Sequence, residues 1–131
     1  MGEPEELLRK LNDRYGSSYQ PEGRLLLRKE KLFLYTGEGT RLPYDWLGLH
    51  IANIDLSLTI EGAQLLGPTA AKNTITITKQ QADRYYRGQD IPGIQGEGHV
   101  ILKTPERTIG AGRLQNGTLK NTLPESRKTK L

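Results

Sequence analysis

A chain of 131 residues has room for one domain of ordinary size, and its 34% hydrophobic and 26% charged residues are the balance of a water-soluble fold. No apolar run approaches the roughly 18 residues that cross a bilayer, and the absence of cysteine excludes disulfides, thiolate metal sites and cysteine nucleophiles. The formal charge of +4 is unevenly spread: residues 1–62 hold 8 Lys/Arg against 10 Asp/Glu, whereas residues 63–131 hold 11 against 5.

The opening Met1-Gly2-Glu3-Pro4-Glu5-Glu6 is acidic and lacks the basic-then-apolar order of a secretory signal. Together with the lack of cysteine, this gives a cytoplasmic expectation. A basic C-terminal half can neutralise phosphates and release counterions, giving salt-sensitive affinity for nucleic acid. A merely solvated basic face is the structural alternative.

In chain order, Glu5 to Tyr15 is expected as a helix, with Pro4 in the first turn and Leu7, Leu8, Leu11 and Tyr15 on one face, and Gly16 stops it. Arg24-Leu25-Leu26-Leu27-Arg28 and Lys31-Leu32-Phe33-Leu34-Tyr35 flank the turn Lys29-Glu30 as a hairpin. Thr36 to Tyr44 reads as a loop. Its Gly37-Glu38-Gly39 is no phosphate cradle, since no Gly-Lys-Ser/Thr follows. Two strands are expected between Trp46 and Ile60, the second alternating Ile54, Leu56, Leu58 and Ile60 against Asp55, Ser57 and Thr59. One helical turn over Pro68–Lys72 precedes a β-branched strand, Thr74–Thr78.

Thr78 and Gln81 have capping-box spacing for a helix over Lys79–Arg87 that Gly88 ends. Gly98–Lys103 and Thr108–Leu114 then flank the turn Thr104-Pro105-Glu106-Arg107, and Asn116-Gly117 is a strong turn signal before a polar, basic tail. Short strands, small helices and 15 glycines point to an α+β, mainly β barrel or sandwich.

Catalytic chemistry finds little support. His50 and His99 lie far apart in sequence and read as core or surface residues, not metal ligands. The serines lack a nucleophile-elbow context and the carboxylates form no recognisable pair. No metal, cofactor or enzymatic activity is expected.

The C-terminal half does carry a pattern. It runs Arg84-Tyr85-Tyr86-Arg87-Gly88-Gln89-Asp90-Ile91, then Gly98-His99-Val100-Ile101-Leu102, then Ile109-Gly110-Ala111-Gly112-Arg113-Leu114, and ends Asn116-Gly117-Thr118-Leu119-Lys120-Asn121-Thr122-Leu123-Pro124. This arrangement resembles the PUA-like C-terminal domain of the bacterial rRNA cytosine-5 methyltransferases of the RsmF type. Arg113 stands where that family usually has lysine. The resemblance is specific over residues 80–127 and fainter before them, where Leu7 to Gly16 looks like the family's opening helix. It implies a PUA-like pseudo-barrel spanning residues 1–131 as a single domain. It also implies a non-catalytic module that grips rRNA or tRNA, assists RNA modification or ribosome biogenesis, and works beside a methyltransferase catalytic subunit.

The residues expected to contact RNA are Arg84, Tyr86, Arg87, Arg113, Lys120, Asn121, Arg127 and Lys128. The cations suit successive phosphates, arginine bidentately, and a tyrosine beside arginine can stack on an unpaired base. Adjacent helix positions diverge, so at most one of Tyr85 and Tyr86 faces solvent and the other packs inside. Asn121 has a second reading as a clamp on nearby backbone. Phe33, Tyr44 and Trp46 are assigned to packing. The alternative function is a protein-interaction module of ribosome assembly that docks a partner through Trp46–Ile60 without binding RNA.

Overall fold

The computed structural model describes residues 2–35 and 48–122. The expected loop Thr36–Tyr44, Trp46, Arg127 and Lys128 lie outside the described residues.

Helix α1 (Glu3–Tyr15) begins two residues earlier than expected, because Glu5 accepts a hydrogen bond from the Gly2 N–H (3.2 Å) and so closes the first turn. It ends where Gly16 takes φ 59°, and its last carbonyls are met from afar. The Tyr15 carbonyl accepts from the Ala71 and Lys72 amides (2.9 and 3.0 Å), and the Arg14 carbonyl from Asn73 Nδ2 (2.7 Å). Strands β1 (Arg24–Arg28) and β2 (Lys31–Tyr35) form the expected hairpin. Lys29 and Glu30 both take positive φ, as a two-residue turn matched to strand twist requires.

Strand β3 (Leu49–Asn53) completes a three-stranded antiparallel sheet ordered β1-β2-β3. Leu25, Leu27, Leu32 and Leu34 turn toward the core, so Phe33, on the opposite face of β2, packs outside it, partly buried beside His50.

The second expected strand, Ile54–Ile60, is not one. The chain turns at Ile54–Leu56, Leu56 takes φ 71°, and Leu58 makes a single bridge to Ala52. Helix α2 (Ile60–Leu66) follows at once, capped by Thr59, whose hydroxyl accepts from the Gly62 N–H (3.0 Å). The apparent period of two belonged to a turn and a helix start: Asp55 accepts from the Ser57 amide (3.0 Å) and holds the reversal. The next helical turn is a 3-10 turn at Gly67–Thr69, slightly earlier than expected.

A five-stranded sheet ordered β4-β6-β7-β8-β5 forms the other half. Its members are β4 (Thr74–Thr76), β5 (Ile91–Pro92), β6 (Gly98–Thr104), β7 (Arg107–Gln115) and β8 (Thr118–Asn121). Helix α3 (Lys79–Tyr86) has the expected capping box: the Thr78 hydroxyl accepts from the Gln81 amide (3.1 Å), and the Gln81 side chain accepts from the Thr78 amide (2.9 Å). The segment past Asn116, read as tail, is instead strand up to Asn121, because Asn116 (φ 54°) and Gly117 (φ 74°) reverse the chain in two residues.

Two cores follow from strand alternation. Ile101 and Ala111 face α1, α2 and the three-stranded sheet, in a cluster with Leu11, Leu32, Ile51 and Leu66. Val100, Leu102, Leu114 and Leu119 face α3, packing with Ala82 and Tyr85. The larger sheet is therefore the middle layer, buried on both faces along β6 and β7.

Candidate nucleic-acid interface

The turn at Asn116-Gly117 fixes the register of β7 against β8, and the register fixes the site. Leu114 opposes Leu119 with both side chains buried, so the next pair, Arg113 and Lys120, must emerge on the other face. Across the other edge of β7, Arg113 opposes His99 of β6. Three strands thus present His99, Arg113 and Lys120 as one row, with neighbouring strands about 4.8 Å apart.

The row has a second tier. Arg14, from the last turn of α1, donates through Nη2 to the His99 carbonyl (2.6 Å), lies 5.4 Å from the Tyr15 ring centroid, and buries an Nε with no partner among the described residues. Gly98 (φ 92°) makes room for it, since a Cβ there would stand 2.9 Å from that Nη2. His99 also sits 3.7 Å from Asp55. Burial lowers the His99 pKa, Asp55 partly opposes this, and Arg14 and Arg113 push it further down. Asp55 lies below its ordinary value: burial would raise it, but hydrogen bonds from the Ser57 hydroxyl and amide, with His99, outweigh that. At neutral pH the lasting charges of the row are therefore those of Arg113 and Lys120.

At the other end the site gathers on Asp90. Lys120 Nζ lies 3.6 Å from Asp90 Oδ2, the Asn121 amide donates to Asp90 Oδ1 (2.8 Å), and Arg84 Nη2 reaches the Asp90 carbonyl (3.4 Å). Asn121 Nδ2 donates to the Tyr85 and Gln89 carbonyls (2.7 and 3.2 Å), so it clamps the end of α3 rather than the tail. Arg84, Lys120 and Asn121 thus meet at a rim around Asp90, with Arg113 across the hairpin from Lys120. Arg87 instead pairs with Asp83 one turn back on α3 (2.9 Å).

Of the two tyrosines, Tyr85 is 1% exposed and its hydroxyl both donates to the Ala111 carbonyl (2.9 Å) and accepts from the Ala111 amide (3.3 Å). Tyr86 stays partly exposed, edge-on to it. The Gly110-Ala111-Gly112 run is a consequence: a Cβ on Gly110 would meet the Tyr85 hydroxyl at 2.5 Å, and one on Gly112 the Leu119 side chain at 2.7 Å.

Sequence reasoning passed over Arg14, Asp55 and Asp90, and read His99 only as a structural residue. The available signal was Asn116-Gly117: a two-residue turn there sets Arg113 opposite Lys120. Beside the row, a cleft of about 480 Å³ is walled in part by His50, Asn53, Glu61, Tyr85 and His99, so residues far apart in sequence meet around one space.

Eight described strands in two sheets with three small helices make an α+β pseudo-barrel of the PUA-like kind. Residues 72–128 match the family described as the methyltransferase RsmF PUA domain, which bears out the resemblance read from the motifs. The chain is 29% identical over 131 residues to the ribosomal RNA small subunit methyltransferase F of Aeromonas hydrophila subsp. hydrophila, and 26% identical over 132 residues to the protein of that name from Aeromonas salmonicida. Each match takes in 93% of this chain and 27% of the relative, so the chain spans about a quarter of the length of the curated relatives it matches.

Proposed function

We propose that this chain is a non-catalytic RNA-binding module that holds rRNA or tRNA for a methyltransferase catalytic subunit, in the cytoplasm, during RNA modification or ribosome biogenesis. The observation that carries this reading is the row of Arg113 and Lys120, extended by His99 and backed by Arg14. An arginine fork and a lysine point charge on adjacent strands suit neighbouring phosphates. Arg84 extends the same rim, and Arg127 and Lys128 follow β8 in sequence with the same charge. The relatives' name, a ribosomal RNA methyltransferase, supplies the RNA class.

Fluorescence anisotropy of a labelled rRNA or tRNA fragment, titrated at low and near-physiological salt beside duplex DNA of equal length, tests the proposal. RNA preference with a steep salt slope is expected. Absence of RNA binding even at low salt overturns it and turns attention to protein partners at Leu49 and Ile54, which are 41% and 48% exposed.

A further inference from the structure

The three-stranded sheet has an outer face that neither core uses. Register defines it: Arg24 opposes Tyr35, Leu26 opposes Phe33, and Phe33 opposes His50. Alternation then sets Arg24 and Leu26 on the face opposite Leu25 and Leu27, and Lys31, Phe33 and Tyr35 opposite Leu32 and Leu34, all of which pack into the first core. The outward set is thus aromatic at the centre and cationic at the ends. Phe33 and His50 lie with ring centroids 5.4 Å apart, tilted 38°, and Leu26 beside them is 38% exposed.

His50 is held in place for this. Its Nε2 lies 3.0 Å from the Ala52 carbonyl and 2.9 Å from Asn53 Oδ1, while Asn53 Nδ2 donates to the Ser57 hydroxyl (2.9 Å). The Asn53 bond assigns Nε2 as the proton carrier. Among the described residues no carboxylate is paired in register with any of these, and the residue across β3 from Lys31 is Asn53. The described part of the face thus carries the charges of Arg24 and Lys31 with no acid in register.

The leucines on the opposite face supply the core, while Phe33, Tyr35 and His50 are only partly buried. Protein-docking surfaces are depleted of lysine, which this face carries at one end. Partly exposed aromatic rings flanked by cations match a polyanion that offers planar rings, and bases in a duplex keep their faces stacked away. We infer that the outer face of β1–β3 is a stacking platform for an unpaired RNA strand, with Phe33 and His50 against bases and Arg24 and Lys31 against the flanking phosphates. The inference rests on the RNA-binding reading but uses a different sheet, outside residues 72–128.

The test compares binding of a labelled oligouridylate of about eight nucleotides with binding of a structured RNA hairpin, for the wild-type chain, Phe33→Leu, Phe33→Tyr and Lys31→Gln. Leucine keeps apolar bulk without a π-face, and tyrosine keeps the ring, so thermal melts confirm that each variant folds. Phe33→Leu is expected to weaken the oligouridylate by roughly 5- to 150-fold, the effect of losing one base stack, while Phe33→Tyr holds the wild-type affinity. Lys31→Gln is expected to weaken it and flatten its salt slope. Wild-type affinity in Phe33→Leu and Lys31→Gln overturns the platform. So does a chain that binds the hairpin but not the oligouridylate, and the RNA-binding reading then survives alone. Binding of neither RNA overturns both.

Discussion

Arg113 and Lys120 stand directly opposite each other across the β7–β8 hairpin, two cations on one face of the sheet. Like charges in that relation repel and cost a few tenths of a kcal/mol, so packing does not call for them. Among the described residues Asp90 relieves the pair on the Lys120 side, 3.6 Å away. The arrangement makes sense when an anion bridges both.

The pair therefore gives opposite expectations for stability and binding. Arg113→Ala and Lys120→Ala should each leave the melting temperature unchanged or slightly raised, because both side chains are exposed and the Lys120–Asp90 contact is a surface pair worth about 0 to 1 kcal/mol. Each should lower RNA affinity and reduce the slope of log K against log salt by about 0.7 to 0.9. Calorimetry and anisotropy on the same samples check both halves. Loss of folding in either variant would make these residues structural.

Asn121 separates clamp from contact. Its side chain donates to the Gln89 carbonyl and to the Tyr85 carbonyl, which also accepts from the Gly88 amide (2.9 Å), and so ties β8 to the end of α3. Asn121→Ala should destabilise the fold by about 1 to 2 kcal/mol, read from urea unfolding, with the salt slope of RNA binding unchanged. An intact stability with weakened RNA binding would return Asn121 to the interface.

How much could be read from the sequence depended on whether a signal was local. The Lys29-Glu30 hairpin, the Thr78–Gln81 capping box and the Asn116-Gly117 turn each reside in a few neighbouring residues, and the structure keeps all three. Strand β8 was missed because Thr118–Asn121 is polar on one face and becomes a strand only through pairing with β7. Helix α2 was missed because Ile54, Leu56, Leu58 and Ile60 alternate as a strand would, while the Leu56 φ of 71° and the Thr59 cap, which break the pattern, are tertiary outcomes. The row itself was half legible: Arg113 and Lys120 were named, but Arg14 and Asp55 reach His99 only through the packing of α1 and the Ile54–Leu56 turn.

Gly62 reports on that missed helix. A Cβ there would lie 1.9 Å from the Ile51 carbonyl oxygen, which is backbone and cannot swing aside. Gly62→Ala, which would favour an isolated helix, should here cost at least about 2 kcal/mol because α2 must lift off β3. A thermal melt decides it. An unchanged or raised melting temperature would mean that α2 does not press on β3 as described.

His99 gives the fold a pH dependence whose sign can be worked out. Burial and the nearby Arg14 and Arg113 lower its pKa against the pull of Asp55, so between the ordinary histidine value near 6.5 and the lower folded value the unfolded chain binds more protons than the folded one. Stability therefore falls as pH drops below about 6.5 and levels off once the folded imidazole is also protonated. Asp55, held below its ordinary value, loses its own contribution only at more acidic pH, through the carboxylate range. The two losses are thus separated along the pH axis. Urea midpoints measured from pH 7.5 to 5 should fall in the wild-type chain and stay flatter in His99→Gln, which keeps a polar side chain without a proton to gain. Equal slopes in the two proteins would show that the imidazole titrates in the folded state as it does in the unfolded chain, the pull of Asp55 balancing burial and the two arginines.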